Sequence, residues 1–236
     1  MGFNTGLFRE EPVIVKLAKP PLTTPIPTAS ASVYQDTWLD RLCIYILKAQ
    51  ISRVIGQKTS LPGYEGFVAL SKQVMIGRDT QEQQAAIAHV LRSTIPPWMT
   101  RPIRRLFQPN RWVCETNAWF ATVLFQWLVG PCDRHSVDIV DQTGQTHQQN
   151  SGVHIQKCRY LEQSQCVGLC INLCKVPTQT FFSEELGIPL TLTPNFEDFS
   201  CEMVFGQQPP PLETEPAYHQ PCIAQTHGSS PCPKVR

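Results

Sequence analysis

The most informative stretch of the sequence is Cys166-Val-Gly-Leu-Cys170-Ile-Asn-Leu-Cys174-Lys-Val-Pro-Thr-Gln179, in which cysteine recurs at every fourth position. An α-helix turns by about 100° per residue, so side chains four residues apart differ by about 40° and share one face. If the segment is helical, Cys166, Cys170 and Cys174 form one stripe with neighbouring Cβ atoms about 5–6 Å apart. The pattern therefore predicts a helix that presents three thiols in register.

Two further cysteines flank this stripe, Cys158 before it and Cys201 after it. Thiolates at helical spacing can bind one metal ion together or bind one side of an iron–sulfur cluster. A disulfide needs Cβ atoms about 3.8 Å apart, a separation that a regular helix does not provide between these positions. We therefore predict that Cys158, Cys166, Cys170, Cys174 and Cys201 bind iron, either as a non-haem ion or as an iron–sulfur cluster. Two alternatives stay open: a structural zinc ion, although C-x2-C knuckles are absent, and a cysteine stripe that packs as ordinary core.

The sequence on both sides of this stretch predicts helices first and a small mixed region afterwards. Apolar residues recur at three- and four-residue spacing in the first half of the chain, and alternate with polar residues beyond residue 136. The segment 158–174 is predicted to be largely helical, with Pro177 as its stop. This order is typical of an α+β fold. The other predicted elements are helices from Asp36 to about Val54, at 64–75 and at 80–91, a hairpin over 136–157, and strands at 190–193 and 201–205.

Composition divides the chain into four parts. The two ends are rich in proline, which is 21 of 236 residues, and are predicted to be flexible. Between them we expect a mainly helical part and a Cys-rich C-terminal domain. The predicted boundaries are 1–32, 33–135, 136–206 and 207–236.

Two neighbouring segments in the helical part are unusual. Residues 112–129 are the most apolar stretch and are predicted to form a buried core helix, since Glu115, Asn117 and Gln126 disfavour a membrane span. Residues 95–111 carry arginines and no acid, together with apolar side chains. This composition is typical of a segment that binds to an anionic membrane surface. The residues concerned are Trp98, Met99, Arg101, Arg104, Arg105, Leu106, Phe107 and Arg111.

Composition also excludes several classes of protein. A mean hydropathy of −0.18 excludes a polytopic membrane protein. The 20 Lys and Arg against 19 Asp and Glu argue against nucleic acid as a partner. Ten cysteines are too few for a small disulfide scaffold. Charged residues at 9–11 interrupt any signal peptide and no transit peptide is evident, so we expect a cytoplasmic protein.

Several segments around the cysteines carry a resemblance to one family. They are 166–179, Lys157-Cys-Arg-Tyr-Leu-Glu162, Pro194-Asn-Phe-Glu-Asp-Phe-Ser-Cys201, Tyr34-Gln-Asp-Thr-Trp-Leu-Asp-Arg-Leu42 and Tyr64-Glu-Gly-Phe67. These segments resemble the β-carotene isomerases of the strigolactone pathway, called Dwarf twenty-seven. The resemblance covers roughly residues 33–222 and is densest from 152 to 206.

The resemblance implies an isomerase that interconverts all-trans- and 9-cis-β-carotene and contains non-haem iron. It also implies a place in strigolactone biosynthesis, and a plastid location if the source is a plant. Cys222 and Cys232 are spaced more widely than the resemblance leads us to expect.

The chemistry of such a reaction restricts the candidate residues only in part. Isomerisation must lower the order of one double bond of a polyene so that rotation about it becomes possible. A bound redox metal could achieve this by transferring one electron to or from the polyene. Proton donation by an acid such as Glu115 or Glu202 is the rival route, and the sequence identifies no catalytic residue. Two other functions remain open: an iron–sulfur electron-transfer module, and a carotenoid-binding protein without isomerase activity. Because the substrate dissolves only in lipid, we expect peripheral attachment to membranes that contain carotenoid.

Overall fold

Helix α1 (Trp38–Ile55) begins where local capping dictates. The Thr37 hydroxyl accepts from the amide of Asp40, and the Asp40 carboxylate accepts from the amide of Thr37 at 2.8 Å, which forms a capping box. The computed structural model describes residues 34–106, 108–140, 145–214 and 217. Helix α1 ends at Gly56, whose φ of 69° is the left-handed conformation that glycine adopts without strain.

The helical part continues with a second capping box, in which Asp79 and Glu82 start α3. The helices predicted at 64–75 and 80–91 are confirmed, and the second runs one turn further than expected. Helix α4 covers most of the arginine-containing segment, although Phe107 lies outside the described residues. The bounds are α2 (Gly63–Met75), α3 (Thr80–Thr94), α4 (Pro97–Leu106), α5 (Arg111–Leu124) and α6 (Gln126–Val129).

Helix α5 corrects the prediction of a buried core helix. Val113, Cys114, Ala118 and Ala121 face the protein and are buried. The opposite face carries large apolar side chains, and Trp112 is 65% exposed. The apolarity of the segment was predicted correctly, but the structure divides it at Phe125 into α5 and α6, and the second apolar face of α5 lacks a partner among the described residues. The exposed side chains of this face are Trp112, Trp119, Phe120, Val123 and Leu124.

A four-stranded antiparallel sheet follows, with the strand order β1-β2-β4-β3. The predicted hairpin and the two later strands are confirmed, and helices followed by an antiparallel sheet confirm the α+β class. Strands β1 and β2 pair with Cys132 opposite Ile155, and a register shift lies between His135 and Val137. The bounds are β1 (Cys132–Val140), β2 (Thr146–Ile155), β3 (Leu190–Pro194) and β4 (Cys201–Phe205).

The cysteine segment lies between β2 and β3 and contains two π-helices. After α7 (Arg159–Ser164), the left-handed Gln165 interrupts the helix, so 158–174 is not one continuous helix. A continuous helical rod then runs from Leu169 to Leu186. It consists of a π-helix (Leu169–Lys175), α8 (Val176–Thr180) and a second π-helix (Phe181–Leu186).

Pro177 does not stop this rod, contrary to the prediction. It lies in the first turn of α8, directly after the first π-helix. The first turn is the part of an α-helix that tolerates proline, because amides there need no intrahelical partner. A change from π to α hydrogen bonding therefore lets proline sit inside a continuous rod.

The buried ion pair of Arg159 with Asp36 ties the start of α1 to α7. The two guanidinium nitrogens lie 2.5 and 3.1 Å from the two carboxylate oxygens of Asp36, and one also donates to the carbonyl of Trp127 at 3.1 Å. The guanidinium carbon is 3.8 Å from the ring centre of Tyr64. The sequence predicted that α1 begins at Asp36, but the Asp36 carboxylate is engaged in this tertiary contact and Thr37 is the cap of this helix.

We expect Arg159→Met to lower the free energy of unfolding by about 2–3 kcal/mol. The substitution leaves a partly buried carboxylate without its bidentate partner, and the cost is moderated because Asp36 keeps some contact with water. Urea unfolding of the parent and the variant measures the difference. Arg53→Met, at an exposed position in the same part of the fold, should change stability little. Equal losses in both variants would contradict a special role for the Arg159 ion pair.

Candidate functional site

An apolar cavity of about 180 Å³ lies between the inner face of the sheet and the helical rod. Strand pairing explains its floor. Ile155, Cys201 and Pro194 are paired across β2, β4 and β3, and paired residues of an antiparallel sheet point to the same face. The paired Leu192 and Met203 lie two residues away on their strands and extend the same face. The floor is therefore a row of apolar side chains and one thiol. We call this space cavity A.

The walls of cavity A come from helices that precede the sheet in the sequence and from the rod, which lies between β2 and β3. Phe181 and Phe182 of the rod and Trp127 of α6 contribute aromatic rings. Leu91 and Ile95 approach from α3 and the residue after it. A cavity with such walls offers an apolar ligand shape and dispersion contacts rather than hydrogen bonds.

Four of the five predicted cysteines line cavity A. Cys170 and Cys174 reach it from the rod, Cys158 from the start of α7, and Cys201 from β4. Cys166 is buried but does not line the cavity, and its carbonyl accepts from the amide of Cys170 at 3.2 Å. The structure thus brings together the two C-terminal members of the stripe and both flanking cysteines.

Burial governs the thiols of cavity A. It raises the pKa of Cys174 to about 12, and it raises the pKa of Cys170 and Cys201 well above the usual value, with neighbouring cysteines adding to the effect. It also raises the pKa of Cys158. Lys175 opposes these shifts at Cys170, Cys174 and Cys201 because its positive charge favours a thiolate. The thiols of this arrangement are therefore protonated at neutral pH.

The described residues hold no metal-binding group that is already arranged. No group of three or more His, Cys, Asp or Glu side chains in this part of the chain is arranged to hold a metal ion. Metal binding requires thiolates, and burial favours the protonated thiols instead. We therefore derive no chemical step through a metal, and the iron site stays a prediction.

Lys175 is a residue of the site that the sequence analysis missed. Its side chain is almost wholly buried, and its Nζ donates to the carbonyl of Leu192. The amide of Leu192 donates to Gln179 Oε1 at 2.8 Å. Strand β3 is at the edge of the sheet, so the rod supplies partners to backbone groups that no further strand can pair. The available signal was a charged residue within an apolar segment.

Tyr160 is the second residue that sequence reasoning missed. It is buried beside the cavity, and burial raises the pKa of its hydroxyl well above the usual value, while a hydrogen bond with Ser71 opposes the rise. Ser71 itself donates to the carbonyl of Phe67 at 3.0 Å. The Tyr160 hydroxyl is therefore held in place inside the protein rather than in water.

Neither acid considered as a proton donor lines cavity A. Glu115 accepts from Arg111 at 2.8 Å and from the amide of Asn150 at 3.0 Å, and these hydrogen bonds lower the pKa of its carboxyl. Glu202 lies on the outer face of the sheet, with its oxygens 2.7 Å from His135 Nε2 and 2.9 Å from His154 Nδ1. Protonation of a ligand in cavity A by either residue finds no support in this geometry.

Comparisons with known proteins agree with the resemblance noted from the sequence. The family model described as "Beta-carotene isomerase D27-like, C-terminal" matches residues 127–214, which include the sheet, the rod and most of cavity A. The chain is 37% identical over 191 residues to "Beta-carotene isomerase D27, chloroplastic" of Medicago truncatula, which covers 81% of this chain and 74% of the relative. The protein of the same name from Arabidopsis thaliana is 34% identical over 198 residues, covering 83% and 73%. No solved structure matches the chain. The chain therefore belongs to the D27-like family of beta-carotene isomerases.

Proposed function

We propose that this protein is a carotenoid cis–trans isomerase that interconverts all-trans- and 9-cis-β-carotene, with a role in strigolactone biosynthesis. The observation that carries the proposal is cavity A, an apolar space beside four cysteines within a member of an isomerase family. The relatives named as chloroplastic favour a plastid over the cytoplasm that the sequence analysis expected.

The walls of cavity A suit a hydrocarbon polyene. Such a ligand has no hydrogen-bonding atoms, so it gains from leaving water and from close contact with carbon-rich walls. Pockets that enclose a drug-sized molecule are roughly 300–1,000 Å³, whereas an apolar cavity of about 150 Å³ holds one benzene ring. Cavity A, at about 180 Å³, thus has room for about one ring or a short part of the chain. Most of the polyene must lie outside it or open it further.

We retain iron as the proposed cofactor, held by Cys158, Cys166, Cys170, Cys174 and Cys201. Bound iron would supply one-electron chemistry. The support is the approach of four of these residues to one cavity, and binding would require the thiols to lose their protons and converge. The chain's own contribution is then to bind the polyene and to exclude water around the reacting bond.

An anionic membrane surface is the proposed partner that delivers the substrate. Trp98 and Leu106 of α4 are 73% and 77% exposed, although they are large and apolar. Arg101 and Arg105 share this helix and make no ion pair with any described residue. Apolar and basic side chains together on one short exposed helix suit a lipid interface. None of the helices in the described part of the chain is long and apolar enough to cross a membrane.

The first prediction from the proposed function concerns the reaction. Purified protein should convert all-trans-β-carotene in detergent micelles to the 9-cis isomer, and 9-cis-β-carotene back to all-trans. A catalyst cannot change an equilibrium, so both reactions should end at the same isomer ratio, as measured by chromatography. Heat-denatured protein is the control. If neither isomer is converted while carotene still binds, the carotenoid-binding function replaces this proposal, and if carotene does not bind, the electron-transfer module remains.

The second prediction concerns the cysteines. Cys166→Ser, Cys170→Ser and Cys174→Ser should each lose bound iron. A serine hydroxyl stays protonated near neutral pH, whereas a thiol can lose its proton and bind the metal as a thiolate. Elemental analysis of the purified variants measures this. Cys43→Ser, Cys114→Ser and Cys132→Ser are controls that should keep the metal of the parent.

The variants also discriminate between ligand sets. Iron retained in Cys166→Ser alone would restrict the ligands to the cysteines of cavity A. Full iron content in all three stripe variants would overturn the iron site. A colourless parent that contains zinc would support the structural zinc alternative instead.

The third prediction concerns the membrane. Arg101→Gln with Arg105→Gln should weaken binding to vesicles of anionic lipid by about 30-fold at low salt, since each basic group contributes about 1 kcal/mol near such a surface. Co-sedimentation measures binding, and added salt should reduce the difference. Arg41→Gln with Arg53→Gln, two exposed positions on α1, is the matched control. Equal binding by both double variants would show that the arginines of α4 are only a solvated surface.

A further inference from the structure

A second apolar cavity of about 80 Å³ lies behind cavity A, and we call it cavity B. Its own walls come from the helical part of the fold: Ile51 of α1, Phe67 and Ser71 of α2, and Ile87 and Val90 of α3. Ser71 is the polar side chain among these five, and it already donates to the carbonyl of Phe67 and bonds with Tyr160. Tyr160 and Thr178 add two further hydroxyls to the lining, so cavity B is mainly apolar and suits an apolar group.

Only one layer of side chains separates the two cavities. Six residues line both of them, and they come from α1, α3, α6, α7 and the rod. Three of the six are leucines that are only partly buried, so their side chains can turn without leaving a tightly packed core. The shared residues are Leu47, Leu91, Leu128, Tyr160, Cys174 and Thr178.

Helix α3 runs along both cavities in order. Ile87 and Val90 line cavity B, Leu91 lines both, and Ile95, just after the helix, lines cavity A and is 36% exposed. A helical rise of 1.5 Å per residue places Ile87 about 12 Å from Ile95 along this direction. The rod faces both cavities, with Leu173 at cavity B and with Cys170 and Phe181, which lie before and after it in the sequence, at cavity A. Along α3, cavity B therefore lies beyond cavity A when counted from the exposed Ile95.

We propose that cavity B, joined to cavity A by rotation of the shared leucines, receives the leading end of the polyene and thereby determines which double bond lies in cavity A. At about 80 Å³, cavity B alone is smaller than the roughly 150 Å³ that holds one benzene ring, so the leading end also fills the adjoining part of cavity A. The inference rests on the proposed function, because it assumes that the bond that isomerises is the one beside the thiols of cavity A. An apolar chain that enters past Ile95 has no hydrogen bonds to fix its position along the channel. A far wall is then the feature that can fix it, and the residues of α1, α2 and α3 that line cavity B alone are all buried. Protein interiors contain few voids larger than a water molecule, so two adjoining apolar voids are themselves unusual.

Opposite changes in the depth of cavity B test this inference. Val90→Phe makes cavity B shallower, so the polyene should stop earlier and isomerise at a bond nearer to its leading end. Val90→Ala makes it deeper, so the reacting bond should move away from that end. Chromatography of the β-carotene isomers gives the position of the cis bond. Val90→Phe should also lower kcat/KM for all-trans-β-carotene by about tenfold or more, as expected for an apolar pocket whose volume no longer matches its ligand.

The matched control is Val68→Ala, which removes the same atoms from a buried valine of α2 that lines neither cavity. It should leave the isomer pattern of the parent unchanged. If Val90→Phe does not fold, Val90→Ala and Ile87→Val, which both deepen cavity B, carry the test. An unchanged isomer pattern and unchanged kcat/KM in all folded variants, with an active parent, would overturn the role of cavity B and leave the proposed function intact.

If the parent protein does not isomerise carotene, a measurement of carotene binding tests the role of cavity B separately from the proposed function. In that case the proposed function fails, and the shift of the carotene absorption band on binding is followed instead. Val90→Phe should then weaken binding of all-trans-β-carotene, whereas Val68→Ala should not. Equal weakening in both variants, or in neither, would overturn the inference, as would the absence of any carotene binding by the parent.

Discussion

The contact between the helical rod and the edge strand β3 is the interaction on which the rest of the site depends. Lys175 and Gln179 provide partners for the carbonyl and the amide of Leu192, which would otherwise be unpaired backbone groups in an apolar interior. On the opposite side, Asn172 donates to Gln83 of α3 at 2.8 Å. Three polar side chains of one short segment thus fix the rod between the sheet and the helices. An error in this placement would move both the floor and the walls of cavity A, because the thiols of Cys170 and Cys174 belong to the same segment.

The number of residues per turn in the rod explains why cysteines and polar residues alternate along it. Asn172, Lys175 and Gln179 are spaced by three and four residues, and they reach α3 and β3. Cys170 and Cys174 are four apart and reach the cavity between those elements. A π-helix has more residues per turn than an α-helix, so residues four apart come closer to alignment along its axis. The π-helical turn therefore keeps two thiols on one side while the polar side chains fix the neighbouring sides.

The sequence was sufficient for the features that depend on local patterns. The spacing of apolar positions and the change to alternation predicted the helices α2 and α3, the hairpin and the later strands, and the cysteine spacing located one wall of cavity A. The features it missed depend on contacts between distant residues. Pro177 stops an ordinary helix but not one that changes its hydrogen-bonding pattern just before it. The exposed face of α5 is as apolar as its buried face, so the sequence could not distinguish the two. The roles of Lys175 and Tyr160 arise from Leu192 and Ser71, which lie far from them in the chain.

The cavities also have a thermodynamic consequence. A void in a protein core costs about 24 cal/mol per Å³, which corresponds to about 4 kcal/mol for cavity A and about 2 kcal/mol for cavity B. These amounts are large compared with the 5–15 kcal/mol by which domains are usually stable. The contact of Arg159 with the carbonyl of Trp127 and the contact of Lys175 with Leu192 act on residues that line cavity A and hold its walls in place. An apolar ligand that fills the voids restores the missing contacts, so it stabilises the folded state in the same step in which it binds. Substrate binding and the stability of the fold are therefore coupled through the rod, because the segment that carries the thiols also holds the walls in place.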